Sequence, residues 1–463
     1  MLSLCHGSGR LGRRDFLRVG GLTFGGLSLS GLLRARAAAA PAQVVRDKAV
    51  VFVFMHGGPS QVETFDPKMT ASANVRSATG ELATTLPGVT FGGTFPRLAS
   101  LAHKLAVVRS FVTGDGNHDI KPVVGRDTAG ANLGSIYARV AGTNRPVSGM
   151  PTNVLLFPPA VDPSTGPGVA DFGKFDATGP LGGGFAPFIP GTGGGLQDDM
   201  KLSMPMERLR DRLGLLAQLD RVKRHVEHAA AGEGLERFRE QAFQIILGSL
   251  AEAFDLSKEH PATVARYDTA PLVRPENIDR KWNNYNRYVD NAKSLGKLML
   301  LARRLCERGC GFVTVTTNFV WDMHADVNNA GVAEGMRYMG LPFDHAISAF
   351  LEDVEARGLS DKILLVAFGE MGRTPRINPA GGRDHWGNLA PLLLAGGGLR
   401  TGQVIGQSTR DAAEPLAQPV TLQNLLGLVL HTLFDVGQLR LQPGVPPHIL
   451  RMADWQPIPG LLG

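Results

Sequence analysis

Histidines and carboxylates that could do chemistry cluster in four places, each just after an apolar run. His56-Gly57-Gly58-Pro59-Ser60, with Glu63 and Asp66 beyond, follows Ala49–Phe54. Arg109, Ser110, Asp115, Asn117, His118 and Asp119 follow Val107-Val108. Trp321-Asp322-Met323-His324 and Asp326 follow Val313–Thr317. Gly369-Glu370-Met371-Gly372-Arg373-Thr374 follows Leu364–Phe368 and leads to Arg383-Asp384-His385-Trp386. Imidazole and carboxylate groups brought together suit a divalent metal, zinc, manganese or calcium. The candidate ligands are Asp322, His324, Glu370, His385, His56 and Asp66, and the candidates for direct catalytic roles are Arg373, Ser60 and His118. Each cluster also has a plainer reading. His56 could cap a turn, Asp322 and His324 could bond loop backbone, and Glu370 with Arg373 could form a buried ion pair. Asp384-His385, flanked by glycines and Trp386, reads as a pocket rim or a surface dipeptide. His225 and His228 fall on a charged helix and read as solvated, whereas His103, His345 and His431 read as structural.

These clusters can share a site only if one scaffold aligns them. Ala49–Phe54 is apolar throughout, as in a strand buried on both faces of a sheet. Further strands are expected at Leu105–Val108, Asn153–Phe157, Gly311–Thr316, Lys362–Phe368 and Leu389–Leu394, with helices over Phe343–Arg357 and Val420–Phe434. The alternation argues an α/β fold with a mostly parallel central sheet flanked by helices, in which ligands bind at the carboxyl ends of the strands. Residues 158–200 are dense in glycine and proline and are expected to form an extended surface loop. Apolar residues recur at helical spacing over Met204–Ala230, Phe238–Phe254 and Val289–Arg308, so 201–308 reads as a helical segment between two parts of the sheet. Cys306 and Cys310 read as buried small apolar residues, and no disulfide framework is expected.

The first forty residues have the order of a cleavable export signal. Arg13-Arg14 precede a glycine-rich apolar stretch, Val19–Leu33, and an alanine run, Ala37–Ala40, ends before Pro41. The paired arginines mark the twin-arginine route, with its translocase as partner and cleavage expected after Ala39 or Ala40. The apolar stretch is shorter than the ~20 residues that span a bilayer, so no span is expected in the mature chain 41–463, read as a single α/β domain. Residues 1–40 carry six Lys/Arg against one Asp, so most of the net charge of +6 lies there and no nucleic-acid partner is expected.

The blocks His56–Ser60, Trp321–His324, Gly369–Pro375 and Gly382–Trp386 resemble the signatures of an exported bacterial family catalogued as domain of unknown function 1501. That family is distantly similar to sulfatases and alkaline phosphatases, and the resemblance implies an alkaline phosphatase-like fold. By the same resemblance, Asp322, His324 and His385 are similar to one metal-ligand set of that superfamily. At its second set, Glu370 stands where an Asp is usual, Met371 replaces a His, and His56 replaces an Asp. Ser60 and Ser110 are the nearby hydroxyls, and the Cys-x-Pro-x-Arg pattern of sulfatases is absent. The implied function is hydrolysis of phosphate or sulfate esters, small or polymeric, in the periplasm or cell envelope. Arg373 would clamp the anion, as a guanidinium fork can. The alternative is a non-catalytic exported binding or assembly protein on the same fold. A lipase-type reading of His56-Gly57-Gly58 fails because the chain has no Gly-x-Ser-x-Gly elbow.

Overall fold

The computed structural model describes residues 43–191, 251–316 and 318–462. Residues 1–40, expected to form an export signal, and the helix expected over Met204–Ala230 lie outside these residues, as does most of Phe238–Phe254. The strands are β1 (Ala49–Phe54), β2 (Glu81–Ala83), β3 (Thr90–Gly92), β4 (Leu105–Val112), β5 (Asn153–Leu156) and β6 (Phe312–Thr316). They continue with β7 (Ile363–Phe368), β8 (Gly372–Arg373), β9 (His385–Trp386), β10 (Ala390–Gly396), β11 (Gln403–Ile405) and β12 (Val420–Thr421). The longer helices are α1 (Leu133–Ala141), α2 (Tyr285–Glu307), α3 (Val332–Ala356) and α4 (Leu422–Leu433).

The main sheet has the order β11-β4-β10-β7-β1-β6-β5, with β12 beside β4. Its pairings are parallel except those of β10, which runs antiparallel to both β4 and β7. The reversal has a simple cause. A parallel neighbour needs a crossover to the far edge of the sheet, whereas a reversed strand can start where the previous one ended. Residues 369–389 therefore stay at the carboxyl edge of β7, where they form the β8–β9 hairpin.

Every residue of β1 is buried, as its unbroken apolar run requires. Ala49, Val51 and Val53 pack into one core with Leu295, Leu298 and Leu301 of α2 and Met339 and Phe343 of α3. Each such fully buried large side chain stabilises the fold by about 1.5–3 kcal/mol. On the alternate register, Phe312 meets α1 at Gly134, where a Cβ would collide with Asn153 and the Phe312 ring. Asn132 caps α1 through the amides of Gly134 and Ser135, and Thr421 with Asn424 forms a capping box on α4.

Helix α3 begins eleven residues before its expected start, and Pro342 sits inside it. Proline lacks a donor and crowds the preceding turn, but Met336, Met339 and Phe343 are buried on either side and hold the helix together. The glycine-rich stretch is irregular over its described part, with only short 3-10 turns, yet it is not merely a surface loop. Val169 and Phe175 are buried, and Phe188 bridges to Val154 of β5. Cys306 and Cys310 are free and buried, and burial pushes the Cys310 thiol up to about 12. Among the described residues, no helix is long and apolar enough to cross a membrane.

Candidate metal centre

Parallel strands present their carboxyl ends to one edge, and the loops after β1, β4, β6 and β7 all leave from there. His118 comes from the loop after β4, Asp322 and His324 from the loop after β6, and His385 from the hairpin after β7. One ligand atom from each of these four residues lies within 4.8 Å of the others. The loops interlock by backbone bonds. Arg383 N donates to Met323 O, Val332 N to Gly381 O, and the amides of Thr113 and Gly114 to Gly387 O. Gly382 is required where the hairpin touches the loop, because a Cβ there would collide with the His324 carbonyl.

Three imidazoles surround one carboxylate oxygen. Asp322 Oδ1 lies 2.7 Å from His324 Nε2, 3.3 Å from His118 Nε2 and 3.5 Å from His385 Nε2. The Nε2 atoms of His324 and His385 are 2.7 Å apart. Two imidazole lone pairs repel at that distance, so the pair must share a proton or a cation. His118 Nε2 is buried and makes no hydrogen bond, even though it is close to Asp322. Nitrogen and carboxylate donors with an unsatisfied buried nitrogen fit a divalent metal such as zinc.

An outer layer orients these groups. His118 Nδ1 lies 2.8 Å from Glu370 Oε1, and the fully buried Glu370 also accepts from Gly57 N. A carboxylate behind an imidazole selects the tautomer that turns Nε2 toward the metal position. Asp322 Oδ2 accepts from Asn329 Nδ2, and Asn329 Oδ1 accepts in turn from Asn284 Nδ2 at the start of α2. Burial opposes ionisation of Asp322, but the Arg373 guanidinium and the three imidazoles outweigh it and hold the carboxyl well below the usual range. Burial likewise opposes protonation of His118, while Asp322 and Glu370 together raise its pKa above the ordinary value.

Several candidates are placed elsewhere. Glu370 is not in the converging group; it stands behind His118 as the orienting carboxylate. Arg373 is not free to clamp an anion: it is buried, with Nη2 2.5 Å from Asp322 Oδ1, and it also donates to the carbonyls of Gly57 and Gly58. Asp66 is held by Ser408, Lys68 and Arg109, away from the imidazoles. The Ser60 hydroxyl accepts from Glu63 N and caps a turn. Gln61 and Asn329 are not among the candidates the sequence offers. Gln61 bonds both the N and O of Arg373, which sets the register of that arginine. Neither residue belongs to a periodic or ligand-like pattern, so their roles emerge only in three dimensions.

His56 is buried and both ring nitrogens lack partners, with the rings of Phe54, Phe172, Phe175 and Phe319 around it. Desolvation lowers its pKa from 6.5 to about 4. The unfolded chain then binds the extra proton between those values, so stability is present above pH 6.5 and lost as pH falls toward 4. The loss from this residue is expected to reach about 3 kcal/mol. Urea unfolding of the parent and of His56→Phe at pH 6.5 and pH 4 isolates it; an equal pH response in both proteins would refute the assignment.

Residues 47–439 match the model of the family described as protein of unknown function (DUF1501), and the chain belongs to that family. No curated protein matches the chain by sequence. Among solved structures, the chain is similar to PsFucS1 sulfatase from Pseudoalteromonas sp., at 12% identity and a TM-score of 0.36 over 90% of this chain and 71% of that one. It is also similar to Ps i-CgsB, at 9% identity and a TM-score of 0.34 over 88% of this chain and 77% of that one. The complex of Ps i-CgsB with k-i-k-neocarrahexaose aligns at 8% identity and a TM-score of 0.32, over 85% of this chain and 74% of that one.

Proposed function

We propose that this DUF1501 protein is a metal-dependent hydrolase of phosphate or sulfate esters, exported by the twin-arginine route to act in the periplasm or cell envelope. The observation that carries the proposal is the convergence of His118, Asp322, His324 and His385 at the carboxyl edge of the sheet. These four would hold the cation, and three imidazoles favour zinc or manganese over calcium, which takes mostly oxygen ligands. A bound divalent metal polarises an ester oxygen and lowers the pKa of water enough to make it a nucleophile. The chain's own residues prepare the place. Arg373 and Asn329 fix the Asp322 carboxylate, and Glu370 fixes the His118 ring. The His385 and His324 side chains are 33% and 22% exposed, which leaves an approach from solvent. With Ser60 committed to a turn, water is the nucleophile this arrangement favours.

Elemental analysis of the purified protein is expected to return about one equivalent of zinc or manganese. Cleavage of p-nitrophenyl phosphate or sulfate should disappear with a chelator and in His385→Ala. A metal-free, inert protein would sink the proposal. It would leave the second reading, a non-catalytic exported binding protein, which the engagement of Arg373 within the protein favours.

A further inference from the structure

The glycine-rich loop brings an aromatic side chain to the metal centre. Phe172 is half-buried and lies with its ring centroid 5.1 Å from that of His118. It stacks on Phe319 at 4.4 Å and an interplanar angle of 27°, and Phe319 in turn meets His118 edge-on at 4.7 Å. The loop reaches this position because it is pinned immediately after Phe172. Phe175 is buried against Phe54 and Phe157, and Gly173 adopts a φ of 141° where a Cβ would press on Ile120, two residues from His118. His118 and His385 lie 4.2 Å apart by ring centroid, so His118 touches both the ring of Phe172 and that of His385, the most exposed residue of the group.

Resting on the metal-site reading above, we propose that Phe172 is a specificity-determining residue whose ring receives the flat apolar face of an ester's leaving group. An aromatic ring beside a metal that holds the anionic end offers little to a small alkyl group. It offers an offset-stacked or edge contact to an aryl ring and a C–H contact to a sugar ring. The phosphate or sulfate end then meets the four-residue group while the ring end rests on Phe172.

Binding rather than turnover tests this. Phenylphosphonate and methylphosphonate are titrated calorimetrically into zinc-loaded protein, with zinc content measured on the same samples. Phenylphosphonate is expected to bind about tenfold more tightly, and the ratio should fall toward one in Phe172→Ala and in Phe172→Leu, which keeps apolar bulk without a ring. Glucose 1-phosphate against glycerol phosphate is the parallel pair that distinguishes a sugar from an aryl group. Equal affinity within both pairs in the unsubstituted protein overturns the assignment of Phe172 while leaving the metal-site reading intact. So does a preference that survives both substitutions. Zinc-loaded protein that binds none of the four compounds overturns this assignment together with the phosphate-ester half of the reading above.

Discussion

Replacing Asp322 by alanine is expected to cost about 3–5 kcal/mol of folding stability, because it strips the buried Arg373 of its carboxylate partner. The same change removes the one oxygen on which His118, His324 and His385 converge. Metal should therefore be lost altogether rather than weakened. Asp322→Asn separates the two effects. It keeps an acceptor for Arg373 and Oδ1-like geometry but lacks the charge, so it should recover part of the stability and little of the metal affinity. Urea unfolding midpoints and elemental analysis of both variants decide the matter. A stability change below about 1 kcal/mol in the alanine variant would mean that Arg373 does not depend on this pair.

The second large effect lies outside the ligand group. Glu63 and Arg383 form an ion pair with neither side chain exposed. Glu63 also accepts from Ser77 Oγ and Ala78 N, and Arg383 donates to Val75 O and Arg76 O. The pair bolts the segment after β1 to the hairpin that carries His385. Glu63→Ala leaves a buried guanidinium uncompensated, and a loss of about 3–5 kcal/mol is expected. Because Arg383 is two residues from His385, metal affinity should also drop by about 10–100-fold, as for other changes behind a ligand. Unchanged affinity in a destabilised variant would show that the pair supports the fold without aiming the ligand.

The candidate site was partly legible in the chain. A polar cluster after an apolar run marks a strand end, and a parallel sheet puts such ends along one edge. That reasoning reaches Asp322, His324 and His385 and also reaches the loop of His118. It does not distinguish a ligand from the group behind it. Glu370 and His118 both follow strands, and only the placement of Gly57 N and Asp322 around them puts the imidazole in the group and the carboxylate behind it. Arg373, three residues after Glu370 in sequence, suggests an ion pair between them, yet the guanidinium turns to Asp322.

Local pattern alone determined the buried strands, the expectation that His and carboxylate groups gather at one edge, and a long helix expected over Val289–Arg308 and found at Tyr285–Glu307. These depend on periodicity and side-chain polarity, which a short window contains. Tertiary structure alone decided that β10 runs backwards, that α3 continues through Pro342, and that Phe172 reaches His118 from a loop more than fifty residues away. The physical reason is the same in each case. A strand's direction, a tolerated proline and a ring beside a ligand are set by what packs against them, and those partners come from distant parts of the chain.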